Sequence, residues 1–515
     1  MKSKHPIGRS TKNFSRGSEA RRRKRQGHPV LEALERRVLL ADGDPDWIRQ
    51  FSGLNTSGTP SYFDSARAVA ISGDAIYVGG RAGGQLDNLP AAQNDEGYIR
   101  RFDRAGNSVW TRAIDTSDVE TVYGVAADAS GVYVVGDTGG KLPDVPSRPN
   151  AFGTNAFLRK YNTDGTIAWT RQFGSATTNH QTRALGVAID ATGVYVTGYT
   201  EGTLVSGQPS AGLTDGYIRK YDSSGNVLWS RQYGTSGSDG FQTIAVGAGG
   251  VYVGGFTDSN GYNGFWRRYD AAGNFLAHVA VQTPSDDSVT GIAVDDSGVY
   301  VGGMTRGTFI GNQPNAGDTT PSSPSTDLDG SVVQWRHQFG GTSDDVVSSL
   351  VIGQSDVFVV GYTFGALPGQ LSLGSSDTFL RKLNSLGNQE WTRLGTARAD
   401  YAYGAALDSG SLVVVGETAG TFAREPDECR PRRLRGSLHG ARIPVVQFAV
   451  ASQSAPESAG IIHVTLTLDV ASTRDVLIPY DRWHCRGGRL LPVPSGRHHH
   501  RVRRDVLLVA DHPHQ

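Results

Sequence analysis

The stretch Leu185–Thr200, LGVAIDATGVYVTGYT, and its continuation Asp215–Tyr233, DGYIRKYDSSGNVLWSRQY, contain four runs in which apolar and small or polar residues alternate. A period of two is the signature of a strand with one face turned inward. Asp190-Ala191-Thr192-Gly193 and Ser223-Ser224-Gly225-Asn226 lie between runs and carry the residues that tight turns require. Alternation puts Tyr217, Arg219 and Tyr221 on one face of the third run. The stretch therefore predicts four antiparallel strands joined by three turns.

The same pattern recurs along the chain. Its second strand is matched by Ile76-Tyr77-Val78, Val132-Tyr133-Val134, Val251-Tyr252-Val253, Val299-Tyr300-Val301, Val357-Phe358-Val359 and Leu412-Val413-Val414, with 48 to 62 residues between consecutive copies. Its fourth strand is matched around Trp47, Trp110, Trp169, Trp335 and Trp391, while Ala277 stands where one tryptophan is lost. Four short strands per unit at this period predict an all-β fold, a seven-bladed β-propeller. The two series are half a unit out of step: the chain opens on Trp47–Phe51, an outer-strand sequence without partners, and closes on Tyr401–Asp408 and Leu412–Gly416, two inner strands. Pairing the first strand with the last unit would close the ring and remove its exposed edges. Two units depart from the pattern: the fourth, 243–283, is short, and the fifth has Asp318–Asp327 in place of a recognisable third strand.

Charge is unevenly spread. Residues 1–41 hold twelve Lys/Arg and three acids, +9, so a chain of net charge zero carries −9 elsewhere. An acidic body argues against nucleic-acid partners, and the run Arg21–Arg25 reads as a solvated or targeting leader. No apolar run reaches the roughly 18 residues of a membrane-spanning helix. The expected organisation is a basic leader (1–43), the propeller (44–443), a partial β-sandwich segment (444–481) and an irregular tail (482–515).

Three resemblances bear on this plan. Residues 44–425, most clearly 124–174, 185–235 and 353–396, resemble the bacterial seven-bladed β-propeller repeat family (SBBP), whose repeats form a scaffold in extracellular or envelope proteins and carry no shared active site. Leu31, Glu32, Leu34, Glu35, Arg37, Leu39 and Leu40 resemble the LEPR-XLL motif of exported and surface proteins, without its proline. Val446-Gln447-Phe448, Glu457–Gly460, Ile461–Leu468 and Val476–Tyr480 resemble the first part of the Calx-beta module. Glu457 matches an acidic position that the family links to calcium, but the later acidic positions are missing, and calcium needs six to eight oxygen ligands.

Glu425–Gly440 and Arg482–Gln515 are Arg-rich and unpatterned, and they hold both cysteines, Cys429 and Cys485. His484, Cys485 and His498–His500 have donor types suited to zinc, yet their spacing fits no zinc-finger pattern. Translation out of frame accounts for them better: read one base later, codons for Leu490–Gly496 can spell Tyr-Ser-Leu-Ser-Pro-Ala-Gly, and those of the His triplet Thr-Ile-Thr, an alternating strand. No metal site, cofactor or catalytic residue is assigned.

The repeated basic pairs Arg100/Arg101, Arg159/Lys160, Arg219/Lys220 and Arg381/Lys382 could form a ring of ligand contacts. Packing explains them better, because long basic stems cover apolar edges, and the repeated tryptophans are expected to pack against neighbouring blades. The chain thus reads as a non-catalytic, exported or cell-surface scaffold or adhesion module for a protein or glycan ligand. The alternative is an enzyme, a lyase, glycosidase or quinone-dependent dehydrogenase, with its site in the central funnel. Such a site should break the repeat symmetry with unusual polar residues at inner-strand ends, and the ends marked by Asp128, Asp190, Asp295 and Asp408 carry ordinary turn residues.

Overall fold

The computed structural model describes residues 48–51 and 64–419, apart from short loop stretches of which the longest are 87–94, 309–319 and 368–374. It also describes the short paired strands Val38–Leu39, Val446–Phe448, Leu466–Leu468, Trp483–Arg486 and Arg489–Pro492. The chain divides into two compact units, Met1–Thr421 and Phe422–Gln515.

The first unit is an all-β propeller. Four consecutive four-stranded antiparallel sheets span Ser65–Ile114, Glu120–Phe173, Thr182–Tyr233 and Ser238–Val281, and a further one spans Asp345–Leu394. Within each, strands pair in chain order, and the first strands of successive sheets lie side by side, so they are the inner strands. The second strand is buried on both faces because its sheet is sandwiched between neighbours. Val132, Tyr133, Val134 and Val135 are all buried, as are Val194, Tyr195 and Val196. The core is accordingly a series of inter-sheet layers: Tyr133 and Val135 of one sheet pack with Val194, Val196, Tyr217 and Tyr221 of the next.

One contact recurs at four of the described junctions and explains the repeated tryptophan. The turn Asp222–Asn226 is held by the Asp222 carboxylate, which accepts from the amides of Ser224 (2.9 Å) and Asn226 (2.8 Å) and leaves Gly225 at φ +79°. The Trp169 ring of the preceding sheet lies on that glycine, where an added Cβ would approach it to 2.9 Å. Trp169 Nε1 donates to the Ser223 carbonyl (3.1 Å) and Arg171 Nε to the Gly225 carbonyl (2.7 Å). Trp110 and Arg112 hold the Thr163 and Gly165 carbonyls (3.1 and 2.8 Å), and Trp229 and Arg231 hold those of Ala271 and Gly273 (3.0 and 2.8 Å). Trp335 reaches the Ser385 carbonyl at 3.1 Å. Where Ala277 replaces the tryptophan, Val279 of the same strand and the third-strand Trp266 take over: both lie against Gly330 of the next turn, and the Trp266 ring is 5.9 Å from Tyr252.

The last sheet closes on the first. Val413 joins the core cluster of Ile76, Val78 and Phe102, Arg104 pairs with Asp408, and the Arg67 guanidinium lies 5.2 Å from the Tyr403 ring. The N-terminal segment completes the junction. Arg49 Nε donates to the Gly106 carbonyl (3.1 Å), the same role that Arg112, Arg171 and Arg231 fill, and Phe51 packs edge-on against Tyr98 (5.5 Å).

Several expectations are corrected in detail. Ile48–Phe51 make the outer-strand contacts without strand pairing, and Trp47 lies outside the described residues. The third position of the last sheet, for which the sequence offered no strand-like run after Gly416 within the propeller, is filled by Val38–Leu39, which pair with Val413 and Leu412. Two residues placed in the basic leader therefore belong to the last sheet. The fifth sheet does have a third strand, in two pieces, Thr320–Ser322 and Ser325–Thr326, because backbone pairing to Gly298–Thr305 needs no particular side-chain alternation. In the second unit Val446–Phe448 pairs with Leu466–Leu468, and Trp483–Arg486 forms a hairpin with Arg489–Pro492 inside the stretch read as unpatterned. The remainder of 420–515, including Cys429, Glu457 and His498–His500, and the run Arg21–Arg25 lie outside the described residues.

Replacing Arg49 and Phe51 together by alanine should lower unfolding stability by about 2 kcal/mol or more, from lost aromatic packing and a lost turn contact. Denaturant unfolding of the full chain measures it, and an unchanged midpoint would show that this segment does not close the ring.

Candidate functional site

The repeated basic residues are internal. Arg100, Arg159 and Arg381 are at most 3% exposed. Their partners lie in their own and the preceding sheets: Arg100, Arg219, Arg267 and Arg381 sit 4.4, 4.7, 3.8 and 3.7 Å from the rings of Phe51, Phe173, Tyr233 and Phe339. Nε of Arg100, Arg159 and Arg219 donates to Thr111, Thr170 and Ser230 hydroxyls at 2.8–2.9 Å. The packing explanation holds, since these cations are consumed in blade junctions. Asp128, Asp190 and Asp295 are likewise structural, each accepting the amide two residues on (2.7, 2.7 and 2.8 Å).

The break in symmetry lies elsewhere on the inner strands. Each carries a β-bulge at the same place, and the extra residues are Arg67, Tyr123, Leu185, Gln242, Thr290, Ser348 and Tyr403. A bulge residue is released from the ladder and its side chain is re-aimed. All of these are half-buried while their strand neighbours are mostly buried. The bulge is visible in the sequence as apolar or small positions three apart, Val122/Val125 or Val289/Ile292, which break the period of two. Reading only strand ends for unusual polar groups missed it.

The bulge residues are unlike one another. The Arg67 guanidinium lies between the rings of Tyr123 (5.5 Å) and Tyr403 (5.2 Å), its Nε donating to Ser65 Oγ (3.1 Å). Among the described residues no carboxylate pairs with it. Tyr403 stacks on Tyr401 (6.2 Å), Tyr401 meets Tyr362 (4.9 Å), and Tyr362 meets the exposed Phe364 (5.8 Å). On the other side the Tyr123 hydroxyl accepts from Arg183 (3.4 Å), which pairs with Asp137 (3.1 Å). The result is one arc, Phe364–Tyr362–Tyr401–Tyr403–Arg67–Tyr123–Arg183, faced by the neutral Gln242, Thr290 and Ser348. Burial raises the Asp137 pKa to about 6 against the pull of Arg183, Arg67 and Arg81. Burial, then the Glu417 carboxylate, pushes the Tyr403 phenol up, so its hydroxyl stays neutral.

No family model matches the chain. The regulatory protein FlaEY of Caulobacter vibrioides is 26% identical over 250 residues, 43% of this chain and 25% of that protein, so the chain spans about a quarter of this relative. Among solved structures, the WD40 domain of Neurospora crassa Pan2 is similar at TM-score 0.40 and 9% identity, covering 70% of this chain and 90% of that one. The periplasmic gluconolactonase PpgL of Pseudomonas aeruginosa is similar at TM-score 0.42 and 9% identity, covering 72% and 98%. None of these likenesses assigns an activity to this chain.

Carboxylates collect at the junction of the first two sheets. Glu96 and Glu120 are 3% and 0% exposed, and both are raised to about 7. Burial is the main cause for each. Asp115 and Glu120 add to it at Glu96, whereas hydrogen bonds from Thr116 and Thr138 oppose it at Glu120. The Thr116 hydroxyl and amide bind the Glu120 carboxylate at 2.5 and 3.0 Å, and the Thr138 hydroxyl at 2.7 Å, the arrangement that Thr235 repeats on Asp239 and Thr283 on Asp287. Glu120, Asp239 and Asp287 fasten the loops entering their inner strands, a place that Thr182 takes in the third sheet.

A carboxyl whose folded pKa lies above its unfolded one stabilises fully below the unfolded value and loses that contribution as pH rises through the folded value. Stability should therefore fall between about pH 4.5 and pH 7. Glu96→Gln should raise the melting temperature by a few degrees at pH 8 while changing it little at pH 5. Scanning calorimetry at the two pH values checks this; an equal shift at both would deny the ionisation.

Proposed function

We propose that the chain is a seven-bladed propeller acting as an exported or cell-surface binding module, a non-catalytic scaffold or adhesion unit whose ligand sits on the inner-strand arc. The observation that carries this reading is the division of labour among polar side chains. Those that repeat, the turn aspartates, the Trp/Arg pairs, the third-strand arginines and the entry-loop acids, hold sheet to sheet. Those that do not repeat gather on the bulge positions, next to half-exposed tyrosines and the exposed Phe364. Aromatic rings with a polar edge, set on a rigid frame, suit recognition. Export is supported by the likeness of Leu31–Leu40 to a motif of exported proteins and of the repeats to an envelope-protein family. No helix among the described residues is long and apolar enough to cross a membrane.

Full-length protein is presented to an array of surface polysaccharides and purified surface proteins, alongside the Phe364→Ala/Tyr401→Ala variant. Binding to at least one ligand, weakened tenfold or more in the variant while the melting temperature stays within about 2 °C, is expected. Binding indifferent to the arc would move the site elsewhere, and no binding at all would refute the module.

A further inference from the structure

The bulge ring places one cation where a ligand would sit. Arg67 is the only charged side chain among Arg67, Tyr123, Leu185, Gln242, Thr290, Ser348 and Tyr403. It makes no ion pair among the described residues: Arg183 pairs with Asp137 and Arg81 with Asp95, whereas Arg67 meets two aromatic faces and a serine hydroxyl and acts on Asp137 only at longer range. A guanidinium stacked between two rings loses little further freedom on binding, and its planar donor fork matches a carboxylate bidentately. The flanking groups narrow the ligand further. The Tyr401 ring lies parallel to that of Tyr403, 4° apart with centroids at 6.2 Å, and adds aromatic surface beside the guanidinium that suits the apolar face of a pyranose ring. Across the ring, Gln242 Oε1 already accepts from the Ser288 hydroxyl (2.7 Å) and the Thr290 hydroxyl donates to the Val347 carbonyl, so the Gln242 amide N–H groups, the Thr290 lone pairs and the Ser348 hydroxyl are neutral groups that suit sugar hydroxyls better than ions.

Resting on the reading of the arc as the ligand site, we infer that the ligand is an acidic oligosaccharide whose uronate carboxylate is held by Arg67 and whose ring lies against the tyrosine surface. Arg67 is then the residue that separates acidic from neutral glycans, and Tyr123 and Tyr403 hold it in place. An acidic peptide would use the cation and leave the tyrosine surface and the neutral groups without a role.

Calorimetric titration of the full chain with tetramers of galacturonate, glucuronate and mannuronate, each against its neutral methyl ester, tests the inference, with hexaglutamate as the peptide arm. At least one uronate should bind tenfold or more tighter than its ester. Arg67→Gln should erase that preference while lowering the melting temperature by only a few degrees, since it also gives up its contacts to Tyr123 and Tyr403, and Arg67→Lys should restore part of the preference, weakened by added salt. Equal binding of acid and ester, unchanged in Arg67→Gln, would overturn the acidic-sugar inference while leaving a glycan-binding arc. Arg67-dependent binding of hexaglutamate alone would overturn the sugar and leave the cation. Failure of every uronate to bind would overturn the inference, whereas the array decides separately whether the module binds anything.

Discussion

At the described junctions of this propeller, each sheet depends on the grip of one outer strand on the next sheet's turn. The turn needs an aspartate to fold back on its own amides and a glycine at positive φ, which leaves two carbonyls facing the preceding sheet. An indole N–H and a guanidinium satisfy them, and the indole ring covers the glycine's open face. The glycine carbonyl is partly buried, and losing its guanidinium donor would cost on the order of 1 kcal/mol, while the indole N–H bond lies at the surface beside the packed ring, so the sheet and its predecessor are specified together. The recovery of this contact through Val279 and Trp266 where Ala277 has lost the indole shows how closely the packing constrains the junction. The recovery is incomplete, since Trp266 Nε1 finds no acceptor among the described residues.

Because the grip is directional, from one sheet to the following one, the last sheet must find its successor in the first. The N-terminal segment supplies what the last sheet lacks. Arg49 takes the guanidinium's place on the Gly106 carbonyl, Phe51 lies under Arg100 as Phe173 lies under Arg219, and Val38–Leu39 pairs with Ser411–Thr418. The inner-strand bulges take part in the junctions too, Arg67 between Tyr123 and Tyr403 and Gln242 against Ser288, but with a different residue at each sheet, and sequence variation collects there.

Much of this was legible from residues alone. The Val-Tyr-Val runs identify doubly buried strands because nothing else in a β-rich chain keeps β-branched and aromatic residues on both faces. The half-unit offset announced that the ends must meet, and the recurrent Trp and Arg announced a shared packing role. What was not legible followed from backbone freedom. Val38–Leu39 entered the last sheet from a segment whose basic composition suggested a leader, and Thr320–Thr326 completed the fifth sheet without strand-like side chains. The candidate site was hidden for another reason: Arg67, Tyr123 and Tyr403 are 56 to 336 residues apart, and each alone resembles an ordinary strand residue. Only superposing the inner strands on their shared bulge brings them together.

Amide hydrogen exchange in the native full chain tests ring closure most directly, by comparing Asp400–Thr418 with the interior pair Thr182–Thr200. A closed ring predicts protection of the same order in both, because Asp400–Thr418 is then packed on two sides like any other sheet. Exchange of Asp400–Thr418 many-fold faster, with Thr182–Thr200 still protected, would mean an open array whose last sheet has no successor.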